Sequence, residues 1–275
     1  MSDIKSISIY LKNEQVTERI KKVLGNKANQ FVTALLRIAS ENKLLQKATP
    51  ESLLGAAMTA ATLDLSLNSN LGMAHIVPYY DKESETYVAQ FIIGWKGFVQ
   101  LALRTGQFVK LYATDVREGE IKSRNRLTGE IDFAWLPDNN RVNAKIVGYV
   151  SYFKLVNGFE STYYMSCEEL EKHAKTYSKT YAKGFGVWKE NFHAMAIKTV
   201  TKMNISKFAP LSPEMQKAIE TDQAIISNEK VLYIDNQGDD EEDEAKKAIA
   251  AKLEEEMKAQ AQQIKIEIPN QTNNG

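Results

Sequence analysis

Residues 166–213 read SCEELEKHAKTYSKTYAKGFGVWKENFHAMAIKTVTKMNISKFAPLSP. Between Lys172 and Lys207 this segment has eight lysines and a single acid, Glu190. Aromatic side chains lie among and beside them: Tyr177, Tyr181, Phe185, Trp188, Phe192 and Phe208. Lysines three or four residues apart share one face of a helix, as at 172, 175 and 179 and at 198 and 202. Such a face, with aromatics nearby, is typical of surfaces that hold backbone phosphates and stack unpaired bases.

A simpler interpretation is a solvated lysine face over a core that contains the aromatics. The formal net charge of the chain is zero, so the lysine concentration reflects placement and not composition. From Asp235 to Gly275 there are eleven acids and five bases, a net of −6, which leaves +6 on residues 1–234. A basic body favours the nucleic-acid interpretation. The acidic tail either meets another partner, screens the DNA site or keeps the chain soluble.

The composition is that of a soluble globular protein. Of the 275 residues, 43% are hydrophobic and 25% are charged. No run approaches the ~20 apolar residues that span a bilayer, and the polar start MSDIKSISIY does not resemble a signal peptide. The single cysteine, Cys167, excludes an internal disulfide and a multi-cysteine metal site. We therefore expect a cytoplasmic protein with no membrane segment.

Three regions are predicted along the chain. Residues 1–70 are helical, because their apolar residues recur at the three-to-four spacing of an amphipathic helix. Thr49 and Pro50 begin a helix there, whose small side chains are expected in the core. Residues 71–230 form an α+β core, in which antiparallel strands and hairpins pack on helices. Residues 231–275 form an acidic, flexible and partly disordered tail.

Strands are predicted in the first half of the core, because β-branched and aromatic residues alternate there with polar ones. They are MAHIVPYY, YVAQFIIG, FVKLYATDV, AKIVGYVSYFKL and FESTYYMS. After the second strand, Gly94 and Gly97 either let the backbone approach a ligand or form a strand-to-helix turn. A hairpin or loop at residues 117–143 carries a basic arm that either contacts DNA or is simply solvated.

Helices are predicted after the strands. Ser166 and Glu169 form a capping box that begins the first lysine helix. Residues 184–186 interrupt the chain before a second helix at about 187–207. Ser212 and Pro213 begin a third helix that is expected to reach about residue 227.

No motif for catalysis stands out. The three histidines are far apart, and no phosphate-binding loop for ATP is present. Asp115 and Glu120, with Lys122 nearby, loosely resemble the acids of a metal-dependent nuclease. We keep that nuclease as an alternative and otherwise expect a protein that is not an enzyme and uses no cofactor or metal.

Three blocks of sequence, taken together, resemble the RecT family of phage single-strand annealing proteins. They are LDLSLNSNLGMAHIVPY (63–79), AQFIIGWKGFVQLALRTGQF (89–108) and the lysine-rich stretch at 165–215. The resemblance covers about residues 10–215, and the tail has no recognisable match. Trp95 stands where the family often has tyrosine, and Met203 and Asn204 stand where it often has a more basic residue.

The resemblance implies ATP-independent binding of single-stranded DNA and annealing of complementary strands in phage-type homologous recombination. It implies an annealing-ring-like core, homo-oligomeric rings or filaments, and an annealed duplex intermediate. It also implies partners: a phage 5′→3′ exonuclease and the host single-strand-binding protein, in the cytoplasm of a bacterium carrying the phage or prophage. The alternative within DNA binding is a protein that coats single strands passively.

Residue types and positions indicate the side chains that contact DNA. We expect the N-terminal helices to form subunit contacts and the basic and aromatic residues to line one groove with an outer arm. The predicted DNA-binding residues are Trp95, Lys96, Arg104, Lys110, Lys122, Arg124, Arg126, Lys172, Lys175, Tyr177, Lys179, Lys183, Trp188, Lys189, Lys198, Lys202 and Lys207.

Overall fold

A computed structural model of the chain describes residues 3–82, 84–227 and 230–232. The predicted acidic tail lies outside these residues, apart from its first two positions. Nowhere in the described ranges is a helix both long enough and apolar enough to cross a membrane.

The first part of the chain is helical, as predicted. Its helices are α1 (Asp3–Leu11), α2 (Glu14–Leu24), α3 (Ala28–Glu41) and α4 (Pro50–Thr62). Pro50 is the first residue of α4, where its missing N–H leaves no bond unmade. The small side chains Ala56, Ala57 and Ala60 are fully buried, so α4 approaches its neighbours closely.

The first sheet has the strand order β1-β2-β8-β9. Its strands are β1 (Ala74–Asp81), β2 (Thr86–Ile93), β8 (Ala224–Ser227) and β9 (Lys230–Leu232). Strands β1 and β2 form an antiparallel hairpin in which Asp81 pairs with Thr86. The N-terminal helices share one hydrophobic core with this sheet, which includes Leu35, Leu53 and Phe91.

Helix α5 (Trp95–Arg104) follows β2 through a turn that requires two glycines. The Gly94 N–H donates to the carbonyl of Met73 at 2.8 Å. A Cβ atom at Gly94 would overlap the carbonyl of Gly72, and one at Gly97 would overlap that of Met73. The two glycines therefore permit close contact between backbone segments, which supports the strand-to-helix interpretation over the ligand interpretation.

The second sheet has the order β3-β6-β7 and is antiparallel. Its strands are β3 (Phe108–Arg117), β6 (Ile146–Leu155) and β7 (Glu160–Ser166). A separate hairpin of β4 (Ile121–Arg124) and β5 (Ile131–Phe133), followed by the short helix α6 (Asp138–Arg141), leaves the sheet after β3. This hairpin is the predicted basic arm.

The helices after β7 are α7 (Cys167–Tyr177), α8 (Lys179–Ala182), α9 (Val187–Glu190), α10 (Phe192–Phe208) and α11 (Pro213–Thr221). The capping box at the start of α7 is confirmed, with both the Ser166 and the Glu169 side chains engaged. The predicted second helix is broken at Asn191, whose side chain caps α10.

The prediction that the third helix reaches residue 227 is wrong. Helix α11 ends at Thr221, and Gln223 adopts a φ of 67°. The chain then pairs with β2, because the buried edge of β2 would otherwise leave backbone groups without partners. The fold is accordingly α+β with antiparallel sheets and a helical N-terminal part.

A buried carboxylate joins α10 to the first sheet. Asp222 Oδ1 accepts hydrogen bonds from Lys198 Nζ at 2.7 Å and from the Ile93 N–H at 3.2 Å. Its Oδ2 accepts from Lys202 Nζ at 2.9 Å. The carboxylate is 1% exposed, so it depends on these partners for the stabilisation that water would give. On another side of α10, Asn204 donates to the carbonyl of Ser151 at 3.0 Å, which joins the helix to the second sheet.

Replacing Asp222 by Asn is expected to lower the free energy of unfolding by about 3–5 kcal/mol, because Lys198 stays buried without its countercharge. Lys202→Ala should cost less, since the Lys202 side chain is 27% exposed. Urea denaturation followed by circular dichroism measures both, with the exposed Asp132→Asn as the matched control. An Asp222→Asn variant as stable as the control would contradict this assignment.

The same network predicts a pH dependence. Burial alone would raise the pKa of Asp222, but the two ammonium groups outweigh it and lower the pKa below its ordinary value. The contribution is therefore complete above the unfolded-state pKa of about 4 and is lost as the pH falls through the lower folded-state pKa. Denaturation of the wild type and of Asp222→Asn at several pH values below about 5 should show a difference that shrinks as the solution becomes more acid.

Candidate nucleic-acid interface

Helix α7 places lysines on an outer face and apolar residues on an inner face. Leu170 and Ala174 are fully buried in a cluster with Tyr149 of β6, so the helix packs against one side of the second sheet. Lys172 and Lys175 are exposed on the opposite side of the helix. Lys183 and Lys189, in the segments after it, are also exposed, and Tyr177 is 45% exposed. Lys179 begins α8, and its side chain lies outside the described part of the structure.

Three aromatic residues of this stretch, Tyr181, Trp188 and Phe192, belong to a small core, whereas Tyr177, Phe185 and Phe208 are exposed. Trp188 is 4% exposed, and its ring packs against those of His173, Tyr181 and Phe192, with centroids 5.6–6.3 Å apart. The placement of Trp188 on a DNA-binding surface is therefore corrected: its ring has no free face on which a base could stack.

The three predicted lysines of α10 lie in different environments. Lys198 is 3% exposed and holds Asp222, so its predicted position on the DNA surface is also corrected. Lys202 is partly exposed but shares the same carboxylate. Lys207 is exposed, and its ammonium group lies 4.7 Å from the centre of the Tyr163 ring.

Around α5 the predicted residues also differ. Trp95 is half-buried against the cluster that contains Trp188, whereas Lys96 is exposed. The Arg104 guanidinium donates to the carbonyls of Leu63 and Asp64 at 2.8 and 2.7 Å. Arg104 therefore fixes the chain that follows α4, although 41% of its side chain remains exposed.

The basic arm is exposed. Lys122, Arg124 and Arg126 all face solvent, and the turn between the two strands is held by Asn125, whose side chain accepts from the Leu127 N–H at 3.0 Å. The Arg124 guanidinium lies 5.6 Å from the centre of the Tyr164 ring on β7. The arm thus presents cations beside the second sheet.

Two carboxylates hold the base of the arm. Asp115 pairs with Arg117 and with Arg141, the latter at 3.2 Å. Glu120 is fully buried; it accepts from Arg141 Nε at 2.9 Å and from the Leu136 N–H at 3.2 Å.

This network also bears on the nuclease alternative. The arginines lower the pKa of Asp115 against the opposing effect of burial, so the carboxylate is ionised but already paired. The described residues contain no group of three or more His, Cys, Asp or Glu side chains placed to hold a metal ion. Asp115 and Glu120, which suggested a nuclease, therefore bind arginines at the base of the arm.

Cys167, at the start of α7, is half-buried. Its sulfur lies 3.6 Å from the carbonyl of Ile146, and burial raises the pKa of the thiol. A raised pKa keeps the thiol protonated and weakly nucleophilic.

The predicted residues do not form one groove. Leu111 and Ala113 of β3 pack towards the hydrophobic clusters, so Lys110 and Tyr112 point to the other face of the sheet. Lysines of α7 lie on the helical side, whereas Lys110 and the cation of Arg124 lie on the open side. Tyr112, 67% exposed, and Tyr152 also lie on this open side and were not among the predicted residues. The alternation of the two strands was the signal that could have identified them.

Comparison with known proteins gives one consistent result. The sequence matches the RecT family over residues 29–249, which extends beyond residue 215, where the recognised blocks end. The uncharacterized protein YqaK of Bacillus subtilis (strain 168) is 43% identical over 224 residues, covering 80% of this chain and 74% of YqaK. Protein RecT of Escherichia coli (strain K12) is 26% identical over 216 residues, covering 70% of this chain and 76% of that protein. The chain belongs to the RecT family.

Proposed function

We propose that this protein binds single-stranded DNA and anneals complementary strands without ATP, as a homo-oligomer. The observation that carries the proposal is the set of exposed lysines on α7 and the segments after it, Lys172, Lys175, Lys183 and Lys189, in a chain of zero net charge. Membership of the RecT family supports a general role in recombination and DNA binding.

Annealing requires that the protein hold the backbones and leave the base edges free. Lysine ammonium groups bind phosphates without reading bases and displace the counterions of the strand. Neutralised phosphates repel each other less when two strands meet, and base pairing then completes the reaction. The inner face of α7 is packed, and its outer face carries Lys172 and Lys175 beside the exposed Glu168 and Glu171. The lysines in the segments that follow, Lys183 and Lys189, extend this set of cations.

Subunit contacts are proposed at the N-terminal helices. Ile9, Val23 and Leu44 are 71%, 49% and 42% exposed, an apolar exposure that association of subunits would cover. A phage 5′→3′ exonuclease and the host single-strand-binding protein are the partners proposed for such an assembly.

The first test is a fluorescence-quench annealing assay with two complementary oligonucleotides, without ATP and at low salt. Faster pairing than in buffer, with both strands intact, is the expected result. Binding without faster pairing would instead leave a passive coating protein. Strand cleavage that requires magnesium would support the nuclease and contradict the proposal.

The salt dependence of binding tests which lysines contact phosphate. Lys172→Ala and Lys175→Ala should weaken binding to all sequences alike and reduce the slope of log K against log salt by roughly 0.7 for each phosphate that is no longer neutralised. Fluorescence anisotropy with labelled single strands measures this slope. The exposed Lys82→Ala, in the β1–β2 connection, is the matched control and should leave the slope unchanged. Slopes equal to that of the control would remove α7 from the DNA-binding surface.

A further inference from the structure

The open face of the second sheet, opposite α7 and α10, carries a group of tyrosines and cations. Strand alternation places Tyr149, Ser151 and Phe153 of β6 against α10 and the core, which leaves Val150, Tyr152 and Lys154 on the other face. The register sets Tyr112 opposite Tyr152, and Lys110 opposite Lys154.

Two tyrosines on this face differ in how they are held. Tyr112 is 67% exposed. The Tyr152 hydroxyl donates to Glu160 Oε2 at 2.8 Å, so one edge of its ring is fixed. Tyr152 is half-buried, and its neighbour Val150 on the same face is buried. Directly opposed positions of neighbouring antiparallel strands lie roughly 5 Å apart at Cβ, so the two tyrosines extend side by side from the same face of the sheet.

A third tyrosine lies on the same face, on strand β7. A Cβ atom at Gly148 would overlap the ring of Tyr164, so the absence of a side chain at Gly148 makes room for that ring. The guanidinium of Arg124 lies 5.6 Å from the centre of the same ring. The contact of Tyr164 with Arg124 brings the basic arm to the edge of the open face.

The charges on this face complement a polyanion. Glu160 is paired with Lys154, a contact that lowers the pKa of the carboxyl, so this acid is compensated within the protein. Among the described residues, no carboxylate lies within ion-pair distance of Lys110 or Arg124. Glu160 also attracts Lys110 at longer range, but its ion pair is with Lys154. Exposed aromatic rings beside cations on a β-sheet are a common means of binding unpaired bases and their phosphates.

We propose that the open face of the second sheet binds single-stranded DNA through its bases, which stack on Tyr112 and Tyr152 while Lys110 and Arg124 contact the phosphates. This inference rests on the proposed function, because it names a second DNA-binding surface on the opposite side of the sheet from α7. The chain would then hold DNA by phosphates on the helical side and by stacked bases on the open side.

The experiment compares two oligonucleotides of equal length, one of thymidines and one of abasic sites, which has the phosphates but no bases. Tyr112→Ala should weaken binding of the thymidine strand by about tenfold, since stacking on one aromatic residue contributes on this scale. It should leave binding of the abasic strand unchanged. Lys172→Ala, by contrast, should weaken both strands alike.

Two further variants control for indirect effects. Tyr112→Phe keeps the ring and should bind as the wild type does. Tyr80→Ala removes an exposed tyrosine of the first sheet and should bind both strands normally. Because Tyr112 is exposed, its replacement should not change the unfolding curve.

The outcomes separate the two proposals. Wild-type protein that binds neither strand contradicts the proposed function itself. Wild-type protein that binds both strands, with Tyr112→Ala equal to it on each, overturns the stacking surface alone. An equal loss on thymidine and abasic strands, together with smaller particles in sedimentation velocity, would show that the open face is a subunit interface instead and would also overturn it.

Discussion

The burial of the Asp222 carboxylate constrains the arrangement of the rest of the structure. A charge removed from water must be paired, and Lys198 and Lys202 of α10 and the N–H of Ile93 supply its partners. Through them α10 is joined to the end of β2, and through Asn204 the same helix is joined to β6. One helix therefore connects the two sheets. Two of its lysines, Lys198 and Lys202, bind the Asp222 carboxylate at this junction.

The burial of these charges changes how the basic character of the protein is understood. Lysines that look equivalent in the sequence are divided by the fold into a structural pair on α10, with Lys198 buried and Lys202 partly exposed, and an exposed set on α7 and the segments after it. The same division applies to the aromatics. Trp188 fills a small core under the lysine helices, whereas Tyr112 lies in the open on a strand that looked ordinary. The packed face of each helix or strand thus decides which charged and aromatic side chains are exposed.

The basic arm is a second place where ion pairs have a structural role. Arg117 and Arg141 neutralise Asp115 and Glu120 where the hairpin leaves the sheet. A hairpin with only two short strands is weakly stable by itself, so these contacts set the direction in which Lys122, Arg124 and Arg126 extend. Carboxylates that suggested metal chemistry in the linear sequence thus become the anchor of a basic arm.

Local signals in the sequence were sufficient for much of the fold. The capping box at Ser166, the proline start of α4 and the alternation of the strands each depend on residues close together in the chain, and each is present in the structure. The α+β class followed from such local patterns, whereas the RecT family was identified by the resemblance of three sequence blocks to that family.

Only the tertiary structure decided the position of Lys198, the end of α11 and the two faces of the second sheet. Each of these depends on a partner distant in sequence: Asp222 for Lys198, β2 for the residues after α11, and α10 for the face that is covered. Periodicity shows that a helix has two faces, but the packing of the whole chain selects which one is buried. For that reason the sequence by itself determined the elements and the kind of chemistry available, while the fold determined which cations and rings are exposed.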